Sequence, residues 1–105
     1  MRILLAEDDD SLADGIEHAM IQSGLTIERV SDGEAVLNAL SSDEFDLLIL
    51  DLGLPRKDGV QVLKHVRKAN NNIPILVFLL TLKIPLFILK RSLSIFSGTM
   101  SFMLR

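Results

Sequence analysis

The chain has 105 residues, of which 49% are apolar, and a formal net charge of −3 at pH 7. This length suits one small domain with a single core, and the mildly acidic balance does not favour nucleic acid as a direct partner. The sequence contains no cysteine, which excludes disulfides, thiolate metal sites and cysteine nucleophiles.

The first part of the chain alternates between strand-like and helix-like patterns. Residues 3–6 are a short apolar run closed by acidic residues, which is typical of a buried strand. Residues 12–20 then carry apolar side chains at helical spacing, with a candidate helix cap among residues 9–11. Gly24 offers a stop for this helix, and the β-prone residues 26–30 predict a second strand.

The middle of the chain repeats this alternation. A turn at residues 31–33 leads into a second, shorter helix over residues 36–40. Residues 47–50 are the clearest buried-strand pattern and end at Asp51. The loop that follows, over residues 53–59, is rich in glycine, proline and aspartate, which favour turns.

A third helix and a fourth strand complete the pattern. Val62, Leu63 and Val66 lie on one side of the predicted helix, and another apolar run begins at Ile75. Apolar strands that alternate with helices predict a doubly wound parallel sheet of the α/β class, with helices on both faces. Right-handed crossovers then bring the carboxyl ends of the strands to one edge, where open α/β sheets bind their ligands.

Acidic residues follow two of the predicted strands. Glu7 and Asp8 come directly after the first strand, and Asp51 ends the third. Because neighbouring strands lie about 5 Å apart, these carboxylates are expected to crowd at the shared edge and to repel one another. A hard divalent cation offsets that repulsion, and Mg²⁺ favours a few carboxylates together with water and phosphate oxygens. The pattern therefore predicts a site for Mg²⁺ and a phosphoryl group, with Asp51 as the nucleophile.

A family resemblance is carried by the motif D-L-x-L-P-x-x-D-G, which begins at Asp51 directly after an apolar strand. Together with Glu7 and Asp8, this stretch resembles the receiver domain of bacterial two-component response regulators over about residues 2–77. The resemblance implies a flavodoxin-like receiver fold. The first five residues and the Leu-Pro loop are most similar to regulators that carry a winged-helix DNA-binding domain.

The resemblance implies a role for each matching residue. Asp51 would be the phosphoacceptor, Asp8 a direct Mg²⁺ ligand, Glu7 a ligand through water, and the backbone carbonyl of Gly53 the third protein ligand. It also implies a sensor histidine kinase as partner, a cytoplasmic location, and transcriptional control in full-length relatives without enzymatic turnover. A homodimer on phosphorylation is an option if the tail permits it, whereas neither nucleic-acid contact by this chain nor a membrane is expected.

The resemblance stops near residue 77. Receiver domains place a Thr or Ser at the end of the fourth strand and a Lys-Pro pair at the end of the fifth, and both side chains contact the phosphoryl group. Here the hydroxyl position falls on Leu79, with Thr81 two residues later, and Lys83 and Lys90 are the nearest cations in a chain without a Lys-Pro pair. We therefore expect a fold that is incomplete after the fourth strand, with Mg²⁺ binding retained but phosphorylation and switching impaired.

The distribution of charge divides the chain at nearly the same place. The first 72 residues hold all 14 acidic residues and seven basic ones, whereas the last 33 hold four basic residues and no acid. This contrast predicts a receiver core at residues 1–78 and a divergent apolar and basic tail at residues 79–105 in place of the last βα units. One hypothesis is that the tail is out of frame with its ancestor, while a membrane span is disfavoured by Lys83 and Pro85.

Other functions fit the sequence less well. A phosphatase of the haloacid dehalogenase type also uses an aspartate after a strand with Mg²⁺, but it needs a second aspartate where this chain has Gly53. A dinucleotide-binding domain would need a glycine-rich first turn, and the acidic residues 7–9 are its electrostatic opposite. A pure interaction module or an inactive fragment is a further alternative, given the tail.

Overall fold

The computed structural model describes residues 1–79 and the strand at residues 84–89. Strands and helices alternate as predicted through the fourth strand. The elements in chain order are β1 (Arg2–Ala6), α1 (Asp10–Gln22), β2 (Thr26–Val30), α2 (Gly33–Ser42), β3 (Leu47–Asp51), α3 (Gly59–Lys68), β4 (Ile75–Leu79) and β5 (Ile84–Leu89).

The strands form one sheet in the order β2-β1-β3-β4-β5. The first four are parallel, which confirms the predicted doubly wound fold, but β5 is antiparallel to β4. Only four residues separate Leu79 from Ile84, whereas a parallel return needs a crossover of about a dozen residues or more. The parallel arrangement therefore stops at β4, as predicted.

Alternation along the strands sends side chains to two cores. Leu4, Leu48 and Leu50 belong to the larger cluster, which also contains buried residues of α2 and α3. Ile3 and Ile49 point the other way and belong to the cluster that contains residues of α1. Helices thus cover both faces of the sheet, because each strand of the parallel centre is apolar on both sides.

An aspartate caps the start of each of the three helices in the described residues. The carboxylates of Asp9, Asp32 and Asp58 accept hydrogen bonds from backbone N–H groups three residues later, at 3.1, 2.8 and 2.9 Å. Each such cap contributes about 1 kcal/mol by satisfying an N–H that the helix itself leaves without a partner. Because each helix follows a strand, these caps lie near the carboxyl edge of the parallel strands.

The apolar run that contains Lys83 and Pro85, for which a membrane span was disfavoured, is described only in part. Its residues 84–89 form a strand, and in the part of the chain that is described, no helix combines the length and apolar character that crossing a bilayer requires. Thr81, Lys83 and Lys90 lie outside the described residues. β4 itself runs to Leu79, one residue past the predicted end of the receiver core at residue 78.

Candidate functional site

The register between β1 and β3 brings Glu7 next to Asp51. Leu5 pairs with Ile49 and Ala6 with Leu50, so the next level of the parallel ladder holds Glu7 and Asp51. Both residues continue the alternation that directs Leu5 and Ile49 to the α1 side of the sheet. One backbone register therefore sets both the separation of the two carboxylates and the face of the sheet on which they lie.

Glu7, Asp8 and Asp51 form a cluster in which one carboxylate oxygen from each residue lies within 4.8 Å of the others. Glu7 is 2% exposed and Asp51 is 1% exposed, whereas Asp8 is open to solvent. The structure thus brings together the three side chains that the sequence nominated as metal ligands. Burial of two carboxylates beside a third leaves a strong local negative charge with an open side at Asp8.

The backbone and side chain of Glu7 are held from three directions. Its N–H donates to the carbonyl of Val30 at 3.1 Å, and its own carbonyl accepts from Nε of Arg29 at 3.0 Å. Its carboxylate Oε2 accepts from the N–H of Asp9 at 3.0 Å. β2 and the start of α1 thereby position the loop that carries Glu7 and Asp8.

Asp51 is positioned by the loop that follows it. Carboxylate Oδ1 accepts from the N–H of Gly53 at 2.9 Å, and the N–H of Gly59 donates to the carbonyl of Leu52 at 2.9 Å. A Cβ at position 59 would lie only 2.8 Å from the backbone oxygen of Asp51. Glycine at the start of α3 therefore allows the helix to approach the strand end that carries Asp51.

The same loop packs against the beginning of α2. The N–H of Gly33 donates to the carbonyl of Pro55 at 3.3 Å, and a Cβ at Gly33 would overlap the backbone oxygen of Lys57. Arg56 has a left-handed φ of 71° and its guanidinium lies 3.6 Å from a carboxylate oxygen of Asp32. The sequence predicts Gly33 only as part of a turn. The contact with Lys57 that requires a glycine there leaves no pattern in the neighbouring residues, because it is tertiary.

Beyond β3, the sheet edge differs from the pattern that the family resemblance implies. Asp51 pairs with Phe78, and β4 ends one residue later at Leu79, the expected hydroxyl position. In the antiparallel β5, Ile84 lies beside Leu79, while the carboxyl end at Leu89 lies beside Ile75, near the opposite edge. The carboxyl end of β5 thus lies away from the acidic cluster.

The electrostatics of the cluster suit a divalent cation. Two unit charges 4.8 Å apart repel by about 3.5 kcal/mol at an effective dielectric constant near 20. Oxygen ligands on opposite sides of Mg²⁺ lie about 4.2 Å apart, given Mg–O distances near 2.1 Å, so direct ligation by some carboxylates and contact through water by another fits the observed spacing. The donor set consists of hard oxygens, which Mg²⁺ prefers.

Comparison with known proteins gives one consistent family. The model of the response regulator receiver domain matches residues 3–92. The response regulator protein PmrA of Pseudomonas aeruginosa is 52% identical over 77 residues, which cover 73% of this chain and 35% of that protein. The transcriptional regulatory protein TctD of Salmonella typhimurium is 39% identical over 77 residues, which cover 73% of this chain and 34% of that protein.

Solved structures agree with the sequence comparison. The receiver domain of the Francisella response regulator 1452 superposes with a TM-score of 0.72 at 28% identity, covering 73% of this chain and 64% of that chain. CheY4 of Vibrio cholerae, a chemotaxis response regulator, superposes with a TM-score of 0.70 at 26% identity, covering 73% and 66%. The chain spans about a third of the length of the curated relatives.

Proposed function

The chain belongs to the response regulator receiver domain family, and we propose that its Asp51 accepts a phosphoryl group from a sensor histidine kinase in a two-component pathway. The observation that carries this proposal is the convergence of the carboxylates of Glu7, Asp8 and Asp51 at the carboxyl edge of a parallel sheet. Such an edge is where open α/β sheets bind ligands.

We assign Mg²⁺ to this cluster. Asp8 and Asp51 would be direct ligands, Glu7 would hold the ion through water, and the carbonyl of Gly53 would complete the protein ligands. A bound Mg²⁺ supplies positive charge that neutralises the carboxylates and the phosphate oxygens during transfer. The buried position of Glu7 and Asp51 strengthens this electrostatic effect, because little water is present to screen it.

The chemistry of the chain itself is a single displacement. The carboxylate of Asp51 attacks phosphorus, a P–O bond forms, and the P–N bond to the donor histidine breaks, so that the imidazole leaves. The hydrogen bond from the N–H of Gly53 to Oδ1 restricts the rotation of the Asp51 side chain. The product is an acyl phosphate on Asp51, so the chain acts as a stoichiometric acceptor.

This role differs from that of a phosphatase with a similar nucleophile. A haloacid dehalogenase needs an acid two residues after its nucleophile to protonate the leaving group, and this chain has Gly53 there. We therefore expect no turnover of a phosphomonoester such as p-nitrophenyl phosphate. Hydrolysis that depends on both Mg²⁺ and Asp51, over many cycles, would contradict the acceptor role.

We further propose that residues 1–78 form the receiver core and that residues 79–105 replace the last βα units with a divergent tail. Leucine at position 79 lacks the side-chain hydroxyl that would donate a hydrogen bond to a phosphoryl group, and the carboxyl end of β5 lies at the opposite edge of the sheet. Two contacts that neutralise the phosphoryl group in the family would thus be absent. We expect Asp51 to be phosphorylated more slowly and less completely than in a receiver with a parallel fifth strand.

The assay is incubation of the 105-residue chain with phosphoramidate and MgCl₂, read by intact mass. We expect the wild-type chain to gain one phosphoryl group at substoichiometric yield, and Asp51→Asn to gain none. Asp14→Asn, which removes an exposed carboxylate from α1, serves as the matched control. Equal labelling of wild type and Asp51→Asn would contradict the assignment of Asp51, and complete labelling with ordinary lifetime would contradict the predicted impairment.

Family membership also supports a cytoplasmic location and a role in transcription within a longer protein. The relatives include proteins named as transcriptional regulators, and they are about three times the length of the matched segment. We propose that any DNA binding belongs to such a longer protein. The test is whether the isolated 105-residue chain shifts the mobility of promoter DNA; we expect no shift.

A further inference from the structure

Arg29 connects the strand β2 to the loop that carries two of the three clustered carboxylates. Its Nε donates to the backbone carbonyl of Glu7 at 3.0 Å, and its Nη2 lies 2.9 Å from Oδ1 of Asp10. The Arg29 side chain is 20% exposed, so its bonds are partly protected from solvent, whereas Asp10 is 86% exposed. Arg29 pairs with Leu5 across the ladder between β1 and β2.

These two contacts enclose the acidic loop. Glu7 is the first residue after β1, and Asp10 is the first residue of α1, so the guanidinium joins the two ends of a segment whose middle contains Asp8. The planar guanidinium offers donors at fixed angles and can therefore set the separation of its two acceptors. A hydrogen bond from a charged donor is roughly twice as strong as one between neutral groups.

We propose that Arg29 is a positioning residue for the divalent cation, holding the loop of Glu7 and Asp8 in the geometry that binds Mg²⁺; this rests on the proposed function of the cluster. Arg29 touches the carbonyl of Glu7 and the carboxylate of Asp10, and it acts on the ion through the loop. Mutation of groups that orient metal ligands in this way typically lowers metal affinity by about 10–100-fold.

A positioning role and simple electrostatics predict opposite changes in Mg²⁺ affinity when the Arg29 side chain is removed. Arg29 is a cation close to the cluster, so its charge alone weakens the binding of another cation, and its removal would tighten Mg²⁺ binding. Its hydrogen bonds have the opposite effect, because without them the loop must be ordered when Mg²⁺ binds. Removal of the side-chain donors should therefore loosen binding if positioning dominates.

The experiment is isothermal titration calorimetry of the full chain with MgCl₂. Intrinsic fluorescence is a poor choice here because the sequence has no Trp and no Tyr. Arg29→Met keeps the apolar stem but removes charge and donors, and we expect the Kd for Mg²⁺ to rise about 10-fold or more, the range typical of groups that orient metal ligands. Arg29→Lys, which keeps one charged donor, should recover part of the lost affinity.

Two further variants separate positioning from general stability. Arg2→Met is a matched control: Arg2 also pairs with two carboxylates, Glu28 and Asp43, but it lies at the start of β1, at the other edge of the sheet. Asp10→Asn removes the ion pair but leaves the bond from Arg29 to Glu7 in place, and it should lose less affinity than Arg29→Met. Thermal unfolding in EDTA, followed by circular dichroism, shows whether each variant is folded at the titration temperature.

The outcomes distinguish the positioning role of Arg29 from the proposed Mg²⁺ site on which it rests. Weaker Mg²⁺ binding by Arg29→Met, with partial recovery in Arg29→Lys and unchanged binding in Arg2→Met, supports the positioning role. Equal or tighter binding by Arg29→Met overturns it while leaving the metal site intact, and so does an equal loss in Arg2→Met. If Arg29→Met does not fold, unchanged affinity in both Arg29→Lys and Asp10→Asn overturns it. Absence of Mg²⁺ binding in the wild-type chain would overturn both proposals.

Discussion

Asp8→Asn is expected to stabilise the metal-free chain and to remove its response to Mg²⁺. Asp8 contributes one carboxylate to a cluster whose other members, Glu7 and Asp51, are buried. Carboxylates this close to one another repel, and their mutual repulsion opposes folding. Replacing one of them by an amide of nearly the same shape removes part of that repulsion and also removes a proposed metal ligand.

The size of the effect follows from the geometry. At 4.8 Å, each pair of charges repels by about 0.9 kcal/mol at the dielectric constant of water and by about 3.5 kcal/mol at a value near 20. Because Asp8 is exposed, the lower figure applies to its repulsion from each of its two neighbours. Salt reduces this repulsion further. We expect Asp8→Asn to gain about 1 kcal/mol in EDTA, which corresponds to about 4–8 °C in Tm for a domain of this size.

The assay is urea unfolding followed by far-ultraviolet circular dichroism, in EDTA and in excess MgCl₂. Wild type should gain about 2.7 kcal/mol at a Mg²⁺ concentration 100 times its Kd, whereas Asp8→Asn should gain little. Asp14→Asn makes the same chemical change on the exposed side of α1 and should shift the free energy of unfolding by less than about 0.5 kcal/mol.

A particular result would refute this reasoning. If Asp8→Asn is less stable than Asp14→Asn in EDTA, the carboxylate at position 8 contributes favourable contacts that outweigh repulsion from its neighbours. If Asp8→Asn keeps the full stabilisation by Mg²⁺, the ion binds elsewhere or does not need this ligand. Either outcome would remove the electrostatic basis for the assignment of the site.

Urea unfolding in EDTA also checks four further substitutions. Gly33→Ala should lose about 1–3 kcal/mol because its Cβ would overlap the carbonyl of Lys57; unchanged stability would mean that the two loops do not touch. Gly15→Ala, with no atom within 4 Å of its Cβ, should instead gain about 0.5–1 kcal/mol, and a loss would contradict its exposed helical position. Leu48→Ala should lose about 2–5 kcal/mol because Leu48 is 0% exposed; a loss below about 1 kcal/mol would contradict its burial. Asp58→Ala should lose about 1 kcal/mol with the cap of α3, and no loss would show that water replaces the cap.

The acidic residues show where local reasoning succeeds and where it is incomplete. Residues 9–11 all had side chains able to cap α1, and the structure assigns the cap to Asp9. Capping depends on the backbone conformation of one residue, which sequence composition does not specify when neighbours are chemically alike. Glu7 and Asp8 lie immediately before this cap, so adjacent acidic residues serve different purposes.

The residues that sequence reasoning missed are those whose partners are distant in the chain. Arg29 contacts Glu7, which precedes it by 22 residues, and Gly33 lies against the loop at Lys57. Neither position carries a local pattern that distinguishes it from an ordinary strand or turn residue. Their importance arises from the register of β2 on β1 and from the packing of α2 against the loop after β3.

The sequence by itself determined the four parallel strands, the three helices and the three acidic residues at one edge, because apolar periodicity and chain order limit how such a chain can bury its surface. Only the tertiary structure decided that β5 returns antiparallel, since an apolar run suits either direction and the short connection from β4 selects between them. It also decided the distances within the cluster and the link from Arg29 to Glu7, because both depend on the pairing of strands that are far apart in the chain.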